Sequence, residues 1–178
     1  MKLNQRRDRQ RGAELLEFTL VLLPLLSTLF VLLDISWAIF SKSTLQHAVR
    51  LGVRQGVTIT SNEATGGKCL TDMVKATVQA NSMGLLYGSS GLAKIKVNYL
   101  QPPPANSAAP ATDVSAQSSG NTPGNIMQVS VQNYALFPLV PRIFSWNKAP
   151  DKSPMNLTVY SADLIEPSRN PPCIGLAP

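Results

Sequence analysis

Near its amino terminus the chain contains a long apolar run that charged residues do not interrupt. No Asp, Glu, Lys or Arg occurs from Phe18 to Leu33, and apolar residues continue past Asp34 as far as Phe40. As one helix, residues 18–40 would measure about 34 Å, which matches the roughly 30 Å hydrocarbon core of a bilayer. The pattern therefore predicts a membrane-spanning helix.

Helical periodicity continues after the apolar run to about Val57. Apolar or small residues recur at three- and four-residue steps, and they are Leu45, Ala48, Val49, Gly52, Val53 and Gly56. A polar stripe with a four-residue step, predicted to be solvated, consists of Lys42, Gln46, Arg50 and Arg54. Gly52 and Gly56 form a small-xxx-small pair that would let another backbone approach closely, so we predict helix packing there.

The remainder of the chain predicts a small α+β domain. Apolar spacing over residues 69–88 indicates a second, shorter helix, and alternating patterns over 93–100, 126–137 and 155–166 indicate strands. Residues 101–125 are rich in Pro, Ser, Ala and Gly, and this composition predicts a flexible loop or hairpin tip. We expect about three antiparallel strands packed on helical segments.

The distribution of charge predicts an orientation for the helix. The formal net charge is +6, and residues 1–12 contain Lys2, Arg6, Arg7, Arg9 and Arg11 against Asp8 alone. A basic head followed by an apolar run with few basic residues after it predicts a cytoplasmic amino terminus and an exported remainder. Because basic and aromatic residues do not interleave downstream, nucleic acid is not a predicted partner.

The two cysteines predict a disulfide. Cys69 and Cys173 are far apart and form no CxxC, and His47 is the single histidine, which argues against a zinc site. In an exported domain two such cysteines indicate one disulfide bond. The alternative is two unrelated buried thiols.

Polar residues inside or beside the apolar run need a reason. Glu14 and Glu17 lie at its leading edge, where an ionised carboxylate is costly without a partner or a function. Both side chains could reach the membrane–water interface and pair with nearby arginines. Alternatively, Glu17 could pair with a cation from another subunit. Pro24 predicts a kink, which is either harmless or a hinge.

These features together resemble a known family. The stretch "RGAELLEF" over residues 11–18, the apolar run containing a proline, the aromatic patch and "AVRLGVRQG" over residues 48–56 resemble the TadE-like segment of tight-adherence (Tad) pilus systems. The resemblance covers roughly residues 10–57. Asp34 and the second acid, Glu14, depart from the family pattern.

The resemblance implies processing and assembly like those of type IV pilin-like precursors. A prepilin peptidase would cut after Gly12, Ala13 would become the first residue, and Glu17 would pair with the amine of a neighbouring subunit. The implied partners are the inner membrane, other pilins or pseudopilins and Tad assembly proteins, with a role in adherence or biofilm formation.

The resemblance also implies a domain plan and a location. Residues 1–12 would form a cytoplasmic leader, residues 13–57 a transmembrane helix and stem, and residues 58–178 an exported domain. The bacterial inner membrane would hold the chain, with its carboxy-terminal domain in the periplasm or incorporated into a surface pilus.

The sequence favours a structural protein over an enzyme. It contains no GxSxG, HExxH or P-loop motif and no glycine-rich dinucleotide turn after a strand. We therefore predict no catalytic residues, no cofactor, no metal and no small-molecule substrate. The alternative to a pilin is an unprocessed single-pass protein of an envelope complex that uses its exported domain for protein binding.

Overall fold

The structure, a computed structural model, describes residues 4–60, 69–137, 154–166 and 173–175, with side chains from Glu14 onward. The described helices and strands, in chain order, are α1 (Asn4–Thr58), α2 (Leu70–Ala80), α3 (Gly88–Leu92), β1 (Ile95–Gln101), β2 (Thr112–Asp113), β3 (Ile126–Leu136) and β4 (Met155–Leu164). This is the expected α+β class, with a long apolar helix followed by a small domain.

The described residues fall into two compact units. One contains α1 as far as Ile39, and the other begins at Phe40 and contains the end of α1 with all later helices and strands. The second unit is called the globular domain below. It therefore includes the part of α1 that the sequence assigns to a stem.

The carboxy-terminal part of α1 supplies one wall of the globular domain's core. The predicted apolar stripe is buried, namely Leu45, Ala48, Val49, Gly52, Val53 and Gly56, and Val57 is buried with it. Lys42, Arg50 and Arg54 of the polar stripe are exposed. A helix with one buried face is what this periodicity predicts.

The sheet is antiparallel, with strand order β2-β1-β3-β4. Its three longer strands confirm the three that the alternating patterns predict. Val129 of β3 is paired with Val97 of β1 on one side and with Ser161 of β4 on the other. The buried face of the sheet carries Ile95, Val97, Tyr99, Met127, Val129, Val131 and Val159.

A fourth, two-residue strand lies in the stretch that the sequence assigns to a loop. Thr112–Asp113 is paired with Leu100 and Gln101 of β1, and Val114 beyond it is buried. The Val114 amide donates a hydrogen bond to the Tyr99 carbonyl at 2.9 Å, which extends the pairing. The composition of residues 101–125 gives no sign of this strand, because two residues are too few to show an alternating pattern.

Asp113 holds this segment in place with its carboxylate. Its Oδ1 accepts hydrogen bonds from the Ser115 amide at 2.9 Å and from the Ser115 hydroxyl at 2.5 Å, and its Oδ2 accepts one from Asn98 at 3.3 Å. The bonds from Ser115, then the one from Asn98, lower the pKa of Asp113. The Ser115 hydroxyl oxygen in turn accepts a hydrogen bond from the Tyr99 amide at 2.8 Å.

The predicted helix over residues 69–88 ends at Ala80, and a turn separates it from α3. Met83 and Gly84 both have left-handed backbone angles, with φ of 50° and 81°, which a helix cannot contain. The Gln79 side-chain amide donates hydrogen bonds across the turn to the carbonyls of Leu86 and Gly88, at 2.8 and 3.0 Å.

The close-approach glycines of α1 pack inside the globular domain. A Cβ atom on Gly56 would lie 2.5 Å from Sδ of Met127 and 2.8 Å from Cγ2 of Val74. A Cβ atom on Gly52 would overlap Cγ2 of Val78. The surface that this glycine pair offers is therefore used by α2 and β3 of the same chain.

Gly52→Ala should destabilise the globular domain. In an open helix the change would add up to about 1 kcal/mol of stability, because alanine is the better helix former. Here we expect a loss of roughly 1–3 kcal/mol, because the added methyl group overpacks the core at Val78. Urea unfolding of the full chain in detergent, followed by circular dichroism, measures it.

The double variant Gly52→Ala/Val78→Ala provides the control. Removing the two Val78 methyl groups makes room for the new Cβ atom, so the combined loss should be smaller than the sum of the two single losses. Strict additivity, or a gain in stability from Gly52→Ala alone, contradicts this packing.

Candidate functional site in the amino-terminal helix

The apolar part of α1 exposes most of its large hydrophobic side chains, while Leu22 and Phe30 are partly buried. Between Leu15 and Phe40 most large apolar side chains are exposed, and Leu20, the most exposed of them, is 74% exposed. α1 is long and apolar enough from Glu14 onward to cross a membrane, and none of its most apolar stretch is buried. A surface of this size does not remain in water, so it has the properties of a membrane anchor.

Three hydroxyl groups in this part of α1 make hydrogen bonds within the helix. The hydroxyls of Thr19, Thr28 and Ser36 donate hydrogen bonds to backbone carbonyls three or four residues earlier, at 2.7–2.9 Å. In a medium without water, such internal bonds remove the cost of an unpaired polar group.

Pro24 lies within α1, and the helix continues on both sides of it. A proline has no amide hydrogen, so the carbonyl of Leu20 loses its usual helical partner. The Thr28 hydroxyl donates a hydrogen bond to the carbonyl of Pro24 at 2.9 Å. A kink at Pro24 stays a prediction.

Glu14 and Glu17 lie on one side of the helix at the start of the apolar run. Both are exposed, and residues three apart in a helix are neighbours on its surface. Among the side chains that the structure describes, neither carboxylate makes an ion pair. Gly12 and Ala13 precede them with helical backbone.

The disulfide joins the start of α2 to a distant part of the chain. The sulfurs of Cys69 and Cys173 are 2.08 Å apart and their Cα atoms 4.8 Å apart, across a sequence separation of 104 residues. Cys69 is the N-cap of α2, but its side chain makes no capping hydrogen bond. Instead the amides of Leu70 and Thr71 donate to the carbonyls of Cys173 and Ile174, at 2.7 and 2.9 Å.

These bonds replace a side-chain cap. The first amides of a helix have no partner within it, and here the segment from Cys173 to Gly175 supplies two acceptors. Ile174 also contributes to the core, since it is 8% exposed. Within the described residues no group of three His, Cys, Asp or Glu side chains could hold a metal ion.

One comparison with known proteins finds a relationship, and it falls on α1. A family model described as TadE-like protein matches residues 12–54. The match begins at Gly12, includes the apolar run, and ends at Arg54, in the part of α1 that has one face buried in the globular domain. No curated protein and no solved structure matches the chain. Residues 12–54 are thus a TadE-like segment, and the resemblance carried by their motifs is confirmed.

Loss of the disulfide should destabilise the globular domain without detaching it from the membrane. Cys69→Ser should lower the free energy of unfolding by roughly 2–5 kcal/mol, because the cross-link closes a loop of about a hundred residues. Unfolding of membrane-inserted protein with and without reductant measures the effect. Reduced wild type and Cys69→Ser/Cys173→Ser should behave like the single variant, and two thiols reactive in the unreduced wild type would contradict the bond.

Proposed function

We propose that this protein is a minor pilin or pseudopilin of a Tad-type pilus apparatus. The observation that carries the proposal is the TadE-like match over residues 12–54, which coincides with an exposed apolar helix. In this role the helix lies in the bacterial inner membrane, the amino terminus is cytoplasmic, and the globular domain is periplasmic. The positive residues before the apolar run support that orientation.

The proposed processing step is cleavage between Gly12 and Ala13 by a prepilin peptidase. A peptidase needs an extended chain, whereas residues 4–13 are helical, so the helix must open locally before the cut. Gly12 makes this opening easier, because a glycine weakens a helix by about 1 kcal/mol relative to alanine. Cleavage also removes the basic head that holds the amino terminus on the cytoplasmic side.

The proposed role of Glu17 is to pair with the amine that cleavage creates. Removal of residues 1–12 leaves Glu14 and Glu17 beside an apolar helix with no basic side chain before Lys42. A carboxylate next to hydrocarbon interacts strongly with a nearby cation, because screening by water is weak there. The new amine of an adjacent subunit supplies that cation. Glu17 lies closer to the apolar run than Glu14 and matches the family position.

Processing is tested by the mass of the protein. Co-expression with the matching prepilin peptidase should yield a species that begins at Ala13, whereas a catalytically inactive peptidase should leave the chain full length. Intact-mass spectrometry and amino-terminal sequencing distinguish the two. A chain that stays full length beside an active peptidase favours the alternative, an unprocessed single-pass protein of an envelope complex.

The role of Glu17 is tested by two matched substitutions. Glu17→Ala should leave membrane insertion intact but reduce recovery of the protein in sheared fibres by about tenfold or more, because a charge pair in a poorly screened site is lost. Glu14→Ala removes the same charge one helical turn earlier and should have a much smaller effect. Equal effects of the two variants, or normal assembly of Glu17→Ala, argue against the pairing.

A further inference from the structure

The two edge strands of the sheet differ in how well they are protected from pairing with another chain. At the β1 edge, β2 and the segment after it occupy the hydrogen-bonding groups from Tyr99 to Gln101. β1 itself contains Lys96, and Lys94 directly precedes it, so two lysines flank the remaining part of this edge. Short length and lysines are devices by which proteins prevent edge strands from pairing with other chains.

The β4 edge has none of these devices. β4 contains ten residues, its only charged residue is Asp163, and it contains no proline. Within the described residues no strand lies beyond it in the sheet. β4 pairs with β3 in unbroken register from Val159 to Leu164. The register shift of this ladder lies on the amino-terminal side of Val159, where residues 132–133 of β3 interrupt the pairing. β4 therefore presents an edge whose only charge is Asp163 and whose register is unbroken from Val159 to Leu164.

The backbone groups that β4 directs outward follow from the alternation of an antiparallel ladder. The Ile165 amide donates to the Asn125 carbonyl at 2.9 Å, on the β3 side. Successive residues of a strand direct their backbone groups to alternate sides, so every second residue from Ile165 back to Val159 also bonds toward β3. Thr158, Tyr160 and Ala162 therefore direct their amides and carbonyls away from the sheet.

Leu164 supports this assignment. Its amide donates to the carboxylate of Asp163 at 2.8 Å, so it is not used by β3. The Asp163 side chain thus occupies the outward amide at one end of the edge, and the outward amides in the middle of β4 remain available for another strand.

The side chains around this edge are partly apolar as well. Tyr160 is 67% exposed, and Met155 and Leu164 are also exposed. A strand with free backbone groups in a row is complemented by another strand, and apolar side chains flanking it add buried surface.

We propose that β4 is a subunit interface, at which it pairs antiparallel with β4 of a second copy of this chain. The two-fold axis passes beside Tyr160, so that Tyr160 faces its counterpart, and Thr158 faces Ala162 of the second copy. Every outward amide of these residues then meets a carbonyl, and the four-stranded sheets of two copies become one continuous sheet.

Charge and symmetry favour this occupant over the alternatives. In this register the two Asp163 carboxylates lie about 20 Å apart, at opposite ends of the paired strands, so they do not repel strongly. Pairing of β4 with the β1 edge of another copy would instead meet Lys96 and the strand β2. That arrangement would also leave an edge free for indefinite growth, whereas the two-fold arrangement closes.

A single-cysteine variant tests the register directly. Tyr160→Cys in the full-length, unprocessed chain, reconstituted in liposomes, should form a disulfide-linked dimer on mild oxidation, since directly opposite residues of a hydrogen-bonded pair have Cα atoms about 5.5 Å apart. Cys69 and Cys173 are bonded to each other, so the new thiol is the free one. Because leader cleavage is not involved, failure here is distinguishable from failure of the proposed function.

Thr112→Cys, which places an exposed thiol on β2 at the opposite edge of the sheet, is the matched control. The dimer yield of Tyr160→Cys should exceed that of Thr112→Cys by about tenfold, because only the first is held at an interface. Equal yields indicate random collision, and a higher yield for Thr112→Cys indicates pairing at the other edge. Either result overturns the proposal.

A second change in the Tyr160→Cys background separates strand pairing from mere proximity. Ala162→Pro removes an outward amide that β3 does not use, and it should lower the dimer yield about tenfold, whereas Ala162→Ser keeps the amide and should not. Ala162→Lys, which places a charge on the edge without changing the backbone, should lower the yield as proline does. Unchanged dimer yields in Ala162→Pro and Ala162→Lys overturn the proposal.

Discussion

The constraint on which the rest of the structure depends is that one helix must suit two different surroundings. As far as Phe40, α1 exposes most of its large apolar side chains, and a hydrocarbon environment satisfies such a surface. From Ser41 onward only one face is apolar, and that face is buried in the globular domain. The change takes place between adjacent residues. Because the same helix is both anchor and core element, α2 and the sheet are assembled on a surface that the carboxy-terminal part of α1 provides.

Small residues make this assembly possible. Gly52 and Gly56 remove side chains where Val78, Val74 and Met127 approach α1. α2 can then pack close to the helix, and β3 can reach it from the sheet. The small-xxx-small spacing that in lipid would suggest contact between membrane helices serves contact within the domain here. Position along the helix, beyond the apolar run, is what distinguishes the two uses.

The features that could be predicted from the sequence are those set by local periodicity. The buried stripe of α1 and the strands β1, β3 and β4 each repeat with the period of their own element, so spacing alone reveals them. β2 could not be predicted, because two residues have no period and Thr112–Asp113 is fixed by pairing with Leu100 and Gln101 of another strand. The end of α2 at Ala80 was missed for a different reason. Its left-handed turn falls on Met83 and Gly84, and the apolar spacing that continues to Leu85 outweighed the turn residues Asn81, Ser82 and Gly84 in the prediction.

The functional features also include some that the sequence predicts and some that only the structure shows. The pattern from Gly12 to Arg54 is recognisable because each motif has a fixed spacing from the next, and the family match falls on the same residues. The different environments of the two sheet edges could not be read from the sequence. β4 and β1 both alternate, and only the strand order shows that β2 covers part of one edge while nothing described covers the other.

The bonds from the segment Cys173–Gly175 to α2 have a consequence for the order in which the domain forms. Leu70 and Thr71 obtain their acceptors from residues synthesised about a hundred positions later, so the first turn of α2 is incomplete while the intervening chain emerges. α2 can therefore complete its first turn only after the late segment has been made, and the disulfide between Cys69 and Cys173 can form no earlier.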